Sequence, residues 1–382
     1  MYYKALDATC TPKTWNICDD LGQIEYIFSD KTGTLTQNVM EFQKCSVNGI
    51  PYGEGVTEAQ RGAAMREGKV DAMDPEEQDI QLNIMKQRML DKMSQTFKNR
   101  YAQPDNLTLI SPRLADDLAD RSSPQRQHLI EFFRALAVCH SVLSERDQNQ
   151  PYRLTYKAES PDEAALVAAA RDVGFPFVNK AKDSIDIEVM GQPERYIPLQ
   201  LLEFNSTRKR MSVIVRNPQG QLVLYCKGAD SVIYQRLKAD HDPELKAATA
   251  RDMEAFANGG LRTLCIAYRY MTEQEYMGWV PVYEAATNAI NDRDEEIEKA
   301  NDQVEHSLQI LGATALEDKL QEGVPEAIET LHKAGIKLWI LTGTSTHIVG
   351  MLCWYSLFRV GDKVQTAIEI GKYPVPSHRV PE

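Results

Sequence analysis

An aspartate follows a short apolar run near the start of this 382-residue chain, in a segment whose residue types suit phosphoryl transfer. Residues 24–29 predict a buried strand, and the sequence DKTGTLT at positions 30–36 follows directly. The carboxyl end of a strand in a parallel sheet opens onto the ligand crevice, where Asp30 would then project. Thr32, Gly33 and Thr34 would offer hydroxyls and backbone amides to a phosphoryl group. We therefore interpret Asp30 as a nucleophile that becomes phosphorylated.

The partner of this strand is predicted near the other end of the chain. Apolar residues at helical spacing predict a helix over 324–331, which Gly335 ends. The run 336–341 predicts a strand that ends in Thr342-Gly343. This succession is typical of a doubly wound parallel α/β sheet, so we expect one α/β domain that a long insertion interrupts. Its first part is 1–44 and its second part 312–371.

The insertion, residues 45–311, is predicted to be a mixed α/β domain. A charged stretch over 74–98 has helical periodicity, and the polar stretch 103–127, with several Pro, Asp and Ser, predicts a mobile loop. Residues 129–137 predict a core-facing helix. The apolar runs 211–216 and 222–226 flank a Pro-Gly turn and predict a hairpin.

Composition narrows the functional classes. The content of 43% hydrophobic and 26% charged residues is ordinary for a globular protein, and the length suits two domains. A net charge of −12 argues against a nucleic-acid surface. Seven cysteines without a CxxC pair argue against a zinc site or a disulfide framework and indicate reduced thiols. We expect no membrane span, since no apolar run reaches roughly 18 to 20 residues.

Four segments of the insertion fit an ATP pocket, and most have a plainer explanation as well. Residues 160–165 begin a predicted helix, where carboxylates also serve as ordinary caps. Phe204 precedes three cations, which suits stacking under a purine beside phosphate, although the residues alone favour a core phenylalanine. Lys227 ends a predicted strand beside a glycine, a place that also suits a solvated lysine. Arg262 is a fork-shaped donor suited to phosphate.

The sequence DKTGTLT resembles the phosphorylation signature of P-type ATPases. Its flanks, 20–29 and 37–42, and residues 316–321 look like the phospholipid-transporting class, the lipid flippases of fungal type, rather than the nearest rival, the cation pumps. The resemblance covers about 1–371. It implies a HAD-like fold for the interrupted domain, nucleotide binding by the insertion, and ATP and Mg²⁺ as cofactors.

The resemblance also implies the site residues. Glu163 would reach the adenine amino group, and Phe204 would be the adenine platform. The other implied ATP contacts are Ser206, Lys209, Lys227, Arg262 and Thr263 in the insertion, and Asp30, Lys31, Thr32, Thr342, Gly343 and Asp362 in the interrupted domain. Asp30 would be the catalytic residue, and Asp30 and Thr32 would hold Mg²⁺.

Thr32 bears on the reaction type. Related phosphatases resemble the pattern Asp-x-Asp, in which the second Asp is a general acid and base. Threonine cannot take that role, so the aspartyl-phosphate should persist and drive a conformational cycle. A HAD-type phosphohydrolase is therefore a weaker alternative, and a non-catalytic ATP-binding module is another.

The family pattern breaks after Gly343. Residues 344–361 form an atypical insertion, the pattern resumes near Asp362, and 372–382 is an unrelated Pro-rich tail. The later segment with the Mg²⁺-binding carboxylate is missing. We expect both stretches to be translated introns or gene-model errors, and phosphorylation of Asp30 to be very weak in this chain while ATP binding survives.

The full-length protein is expected to carry membrane helices. The resemblance implies a phospholipid substrate, an accessory flippase subunit, and residence in the plasma membrane, Golgi or endosome, with this portion facing the cytosol. This chain alone is expected to be a soluble, cytosolic fragment. The lipid headgroup would be chosen in membrane helices that this sequence does not contain.

Overall fold

A computed structural model describes residues 2–3, 7–9, 20, 22–57, 60, 75–147 and 149–341. The chain divides into two compact units. The smaller contains Met1–Gln37 and Leu320–Glu382, and the larger contains Asn38–Lys319. The divisions after Gln37 and after Lys319 both fall inside strands. The sequence-based domain boundaries at 44 and 311 stay predictions.

Fifteen strands and nine α-helices lie within the described residues. The strands are β1 Tyr2–Tyr3, β2 Ala8–Thr9, β3 Tyr26–Asp30, β4 Thr36–Val47, β5 Ile50–Tyr52, β6 Leu143–Arg146, β7 Leu154–Lys157, β8 Phe177–Ala181, β9 Ser184–Val189, β10 Gln192–Leu202, β11 Arg210–Arg216, β12 Leu222–Gly228, β13 Arg262–Met271, β14 Gln309–Leu320 and β15 Lys337–Leu341. The helices are α1 Pro75–Thr96, α2 Pro112–Ala119, α3 Pro124–Val138, α4 Pro161–Val173, α5 Asp230–Tyr234, α6 Pro243–Asn258, α7 Glu273–Thr287, α8 Arg293–Asp302 and α9 Val324–Lys333. None of these helices has the length and apolar character that a bilayer crossing requires.

A nine-stranded sheet runs through the larger unit, in the order β5-β4-β14-β13-β12-β11-β10-β9-β8. Successive neighbours from β14 to β8 pair antiparallel. The predicted hairpin is confirmed as β11 and β12, and its turn contains Gly220 at φ 82°. A positive φ costs glycine little because it lacks a Cβ.

The central strands of this sheet are buried on both faces, which explains their unbroken apolar sequences. Val213 and Val215 of β11 join one hydrophobic cluster, which includes residues of α3 and α4. Ile214, between them, joins a second cluster that contains Met253 of α6 and Trp279 of α7. Side chains alternate between the faces of a strand, so one strand contributes to both cores.

The prediction of a mobile loop over 103–127 is wrong. This stretch contains a 3₁₀ turn at Pro104–Asn106, all of α2 and the start of α3. Pro112 and Pro124 lie in the first turns of α2 and α3, where the missing proline N–H costs no hydrogen bond. Leu114 and Leu118 of α2 are fully buried, so apolar burial orders the segment.

The smaller unit contains a two-stranded parallel sheet of β3 and β15, with Asp30 opposite Leu341. Leu35, Val324, Ile328 and Ile340 pack together with Leu320 in its small core. The predicted helix, the stop at Gly335 and the second strand are confirmed. The coarse expectation of a mixed α/β chain is also confirmed, but the largest sheet is antiparallel, and a doubly wound parallel sheet is not seen within the described residues.

Candidate functional site

Several predicted site residues lie at one edge of the large sheet. Arg210, at the start of β11, pairs with Gly228 at the end of β12. Gly228 in turn pairs with Cys265, near the start of β13. Because neighbouring strands run antiparallel, the segments 204–209, 227–230 and 260–263 all lie at this edge.

The first turn of α4 reaches the same edge. The helix begins at Pro161, and Asp162 and Glu163 in its first turn complement the positive end of the helix. Gly174, in the left-handed conformation at φ 114°, ends it. The helix terminus therefore presents two adjacent carboxylates to the cations of β12 and β13.

Glu163 and Lys227 form a largely buried ion pair, with Lys227 Nζ 2.6 Å from Glu163 Oε1. The hydroxyl of Ser141 donates to the other carboxylate oxygen over 2.5 Å. Burial alone would raise the pKa of Glu163, but the Lys227 ammonium and the hydrogen bonds from Lys227 and Ser141 outweigh it and lower that pKa. Glu163 is thus held as a carboxylate, an acceptor suited to an exocyclic amino group.

His140 lies beside this pair as a fully buried neutral imidazole. Its Nε2 is 3.0 Å from the Ala137 carbonyl oxygen, and its Nδ1 accepts from the Val142 amide over 3.1 Å. One neutral tautomer satisfies both contacts. Burial, followed by the charge of Lys227, lowers the pKa of His140 to about 3. Sequence reasoning missed His140 and Ser141, since no motif marks them.

Arg262 is paired with the neighbouring carboxylate of α4. Its Nη1 lies 2.8 Å from Asp162 Oδ1 and 2.5 Å from Oδ2. Both side chains are mostly buried, at 22% and 18% exposure. Asp162 lies in the predicted helix start 160–165, and it pairs with the predicted phosphate donor. Thr263 follows Arg262 on β13 and is half-buried.

The segment 203–209 presents Phe204, Ser206 and Lys209 to solvent. Phe204 is 60% exposed, which rules out the reading of this residue as a core phenylalanine. Lys209 has a φ of 51°, in the left-handed region. The exposed ring and the two polar side chains therefore stand on one short segment at the sheet edge.

The run Arg208-Lys209-Arg210 does not offer three cations to a ligand. Arg208 and Arg210 are each 2% exposed, and both pair with the buried carboxylate of Glu305. Only Lys209 of the three is exposed. The interpretation of the whole run as charge for phosphate is therefore corrected for the two arginines, which act within the fold.

Gly228 allows two strands to approach closely at this edge. A Cβ at this position would lie 2.6 Å from both Arg210 Cβ and the Lys209 carbonyl oxygen. That carbonyl accepts the Ala229 amide over 3.0 Å. Glycine is required here by space rather than by backbone conformation.

Asp30 ends β3 in the smaller unit, as predicted, and its side chain is exposed. The Lys31 amide donates to Asp30 Oδ1 over 2.8 Å. The Lys31 carbonyl accepts the amides of Leu35 and Thr36, which closes the turn after the strand. Thr32 lies exposed on this turn, and the predicted contacts Thr342, Gly343 and Asp362 lie outside the described residues.

The oxygen groups of this turn fit the preference of Mg²⁺. A carboxylate at Asp30 and a hydroxyl at Thr32 are hard oxygen donors, and Mg²⁺ is commonly held by one or two carboxylates together with phosphate oxygens and water. Within the part of the chain that the structure describes, no three His, Cys, Asp or Glu side chains gather into a metal cage. An open cavity of about 480 Å³ in the larger unit, lined by Arg236, Asp302 and His306 among others, contains none of the predicted site residues.

Comparison with known proteins identifies the family of this chain. Residues 128–323, more than half of the chain, match the family described as P-type ATPase, cytoplasmic domain N. The chain therefore belongs to the P-type ATPases.

Its relatives include phospholipid-transporting ATPases. The chain is 49% identical over 376 residues to phospholipid-transporting ATPase dnf2 of Schizosaccharomyces pombe, covering 97% of this chain and 25% of the relative. It is 46% identical over 372 residues to phospholipid-transporting ATPase DNF1 of Chaetomium thermophilum, covering 97% and 23%. Phospholipid-transporting ATPase IC of Xenopus tropicalis is 40% identical over 343 residues, covering 90% and 25%. The predicted resemblance is confirmed, and the chain spans about a quarter of the length of these curated relatives.

Proposed function

We propose that this chain is the nucleotide-binding and phosphorylation portion of a phospholipid-transporting P-type ATPase, in which Asp30 accepts the γ-phosphoryl group of ATP. The observation that carries the proposal is the sheet edge of the larger unit. There Glu163 and Lys227 are fixed against each other and the exposed Phe204 stands on an adjoining segment. An aromatic face, a carboxylate and nearby cations suit an adenine nucleotide, which has a flat base, an exocyclic amino group and phosphates.

In the proposed pocket, Phe204 stacks on the adenine and Glu163 accepts from its amino group. Ser206, Lys209 and Lys227 surround the nucleoside part, while Arg262 and Thr263 donate toward phosphate. Lys227 also keeps Glu163 ionised and oriented, so it acts on the base through that carboxylate.

The proposed reaction is an in-line displacement at phosphorus. An oxygen of the Asp30 carboxylate forms a bond to the γ-phosphorus, the bond to the β,γ-bridging oxygen breaks, and ADP leaves with that electron pair. Lys31, Thr32, Thr342 and Gly343 stabilise the charge that develops on the transferred group. Asp30 and Thr32 are the side chains that would hold Mg²⁺, which neutralises phosphate charge when bound.

Several finer features belong to the same proposal. We propose a HAD-like fold for the smaller unit and a phospholipid as the transported substrate. We also propose an accessory subunit and a place in the plasma membrane, Golgi or endosome for the whole protein, with this portion facing the cytosol. The names of the relatives support the lipid substrate.

Labelling with ATP that carries radioactive γ-phosphate, quenched in acid, tests the proposal. We expect label on the wild-type chain, loss of label in Asp30→Asn, and retention of label in Glu25→Gln, a matched change at an exposed carboxylate just before β3. Because the sequence departs from the family pattern after Gly343, we expect only a small labelled fraction.

The other outcomes separate the alternatives. Label that persists in Asp30→Asn would exclude Asp30 as the acceptor. Absence of label, together with ATP binding that Phe204→Ala weakens, would identify a non-catalytic nucleotide-binding module. Steady hydrolysis of a simple phosphate ester would favour a phosphohydrolase.

A further inference from the structure

Glu305 is a buried carboxylate beneath the segment that carries Phe204. Its side chain is fully buried. One oxygen, Oε1, accepts from Arg208 Nη2 and from the Ser212 hydroxyl, each over 2.5 Å. The other, Oε2, accepts from Arg210 Nε over 2.7 Å. Glu305 therefore accepts hydrogen bonds from three different side chains.

The two arginines link Glu305 to the backbone of the segment 203–209. Arg208 Nη1 donates to the carbonyl oxygen of Glu203 over 2.6 Å. Arg210 Nη1 donates to the carbonyl oxygen of Arg208 over 3.2 Å. Glu305 therefore holds the backbone of the segment at Glu203, before Phe204, and at Arg208, after Ser206.

Asn205 closes the segment between these two points. Its side-chain oxygen accepts the Arg208 amide over 2.6 Å, and its carbonyl oxygen accepts the Lys209 amide over 2.9 Å. The exposed Phe204 and Ser206 thus stand on a turn whose backbone is tied at both ends, although the two side chains themselves face solvent.

Stability alone is a weak explanation for such a group. Burying a carboxylate and two guanidinium groups carries a desolvation cost that the ion pairs only roughly offset, and apolar side chains of similar size are often as stable. Buried ionic groups are better suited to fixing one geometry. Here the geometry that they fix is that of the segment with the exposed aromatic ring.

We propose that Glu305 is a positioning residue for nucleotide binding: through Arg208 and Arg210 it holds the segment 203–209 so that Phe204 is oriented for stacking before ATP arrives. The inference rests on the proposed function of Phe204 as the adenine platform. Preorganising the ring removes part of the ordering cost that binding would otherwise carry.

A double-mutant cycle on the full chain tests this inference. Calorimetric titration with MgATP would compare the wild type, Phe204→Ala, Glu305→Gln and the double variant. We expect Glu305→Gln to weaken ATP binding by about fivefold or more, a part of what stacking on one aromatic ring contributes. The double variant should bind about as weakly as Phe204→Ala alone, because Glu305 acts through Phe204.

Two further measurements separate positioning from general destabilisation. Affinity for inorganic tripolyphosphate, which has no base to stack, should change by less than about twofold in Glu305→Gln. Glu194→Gln is the matched control: Glu194 accepts from Arg134 over 2.7 Å and belongs to another part of the sheet. It should leave ATP affinity unchanged.

If Glu305→Gln does not fold, Arg208→Lys replaces it in the cycle, since a lysine cannot join Glu305 and the Glu203 carbonyl in the same way. Losses that add in the double variant, or an equal loss for tripolyphosphate, would overturn the inference while leaving the proposed function intact. A wild-type chain that does not bind ATP, or a Phe204→Ala variant that binds normally, would overturn the proposed pocket and this inference with it.

Discussion

Asp162 holds Arg262 through both oxygens of its carboxylate, at 2.8 and 2.5 Å from a single guanidinium nitrogen. The guanidinium proposed to face phosphate therefore already has an anionic partner within the fold. A phosphate group that reaches Arg262 must share or displace that carboxylate, and the negative charge of Asp162 opposes its approach.

Replacing Asp162 should consequently tighten nucleotide binding. We expect Asp162→Asn to raise ATP affinity by about two- to fivefold, the range that a partly exposed ion pair is worth. Calorimetric titration at constant ionic strength measures it. Asp186→Asn on β9, which removes the half-buried partner of the exposed Arg195 on β10, is the matched control and should leave ATP affinity unchanged. Weaker binding in Asp162→Asn would instead mean that this carboxylate orients Arg262 for phosphate.

Lys227 and Glu163 should contribute to the unfolding free energy of the chain as a coupled pair. Lys227→Met leaves a largely buried carboxylate with Ser141 as its remaining side-chain donor, and should cost about 3 kcal/mol of unfolding free energy. The pKa of Glu163 should rise in that variant, because burial is then no longer opposed by the ammonium.

Urea unfolding of Lys227→Met, of Glu163→Gln and of the double variant that combines them checks this coupling. The double variant should recover much of the stability lost in Lys227→Met, since no unpaired charge remains. Losses that simply add would show that the pair is not coupled.

Gly228 should tolerate no side chain. Alanine would place a Cβ 2.9 Å from Arg210 Cα and still closer to Lys209 backbone oxygen, so the strands must move apart. We expect Gly228→Ala to lower the unfolding free energy by about 1–3 kcal/mol. Gly278→Ala on α7, where a Cβ would meet nothing within 4 Å, should instead raise it by up to about 1 kcal/mol. Similar effects at both glycines would contradict the role of close approach.

The fold was predictable where a local pattern and an end signal agreed. The strands β3 and β15 are apolar runs that end at polar, glycine-containing sequence, and both lie where expected, paired in parallel. The hairpin of β11 and β12 likewise follows from two apolar runs around one turn. In each case short-range sequence determines the element. Burial on both faces agrees with the prediction for the hairpin. The expectation that β3 is buried is wrong, since Tyr26 is 43% and Phe28 58% exposed.

Prediction failed where the same residue types serve two purposes. Proline and aspartate between 103 and 127 indicated a loop, but Pro112 and Pro124 begin helices. The segment is ordered because Leu114 and Leu118 pack into a core, and residues from distant parts of the chain form that core. Tertiary burial of this kind is not encoded locally.

The sequence indicates Phe204 as a candidate ligand platform, which stays a prediction, but it does not indicate the ion pairs of the candidate site. Phe204 is exposed as a ligand platform requires. The run Arg208-Lys209-Arg210 gives no hint that two of its cations face inward, because their partner Glu305 is more than 90 residues away. The roles of Asp162 and Ser141 could not be predicted for the same reason, because each depends on a partner elsewhere in the chain.

His140 should make the stability of the larger unit depend on pH. Burial, followed by Lys227, lowers its pKa from 6.5 to about 3, so the folded chain keeps the imidazole neutral while the unfolded chain protonates it below pH 6.5. The unfolded state then binds more protons, and this contribution to stability, complete above pH 6.5, is lost as the pH falls toward 3. At pH 5 the loss from this residue should be about 2 kcal/mol.

Urea unfolding at pH 7.5 and pH 5.0 measures the effect, with His140→Asn as the test variant. Asparagine does not titrate, so its unfolding free energy should fall less between the two pH values than that of the wild type, by about 2 kcal/mol. His128→Asn, at an exposed position on α3 and the preceding histidine in the chain, should keep the wild-type difference. An equal fall in wild type and His140→Asn would mean that His140 is protonated in the folded chain, and the hydrogen bond from the Val142 amide to its Nδ1 could then not exist.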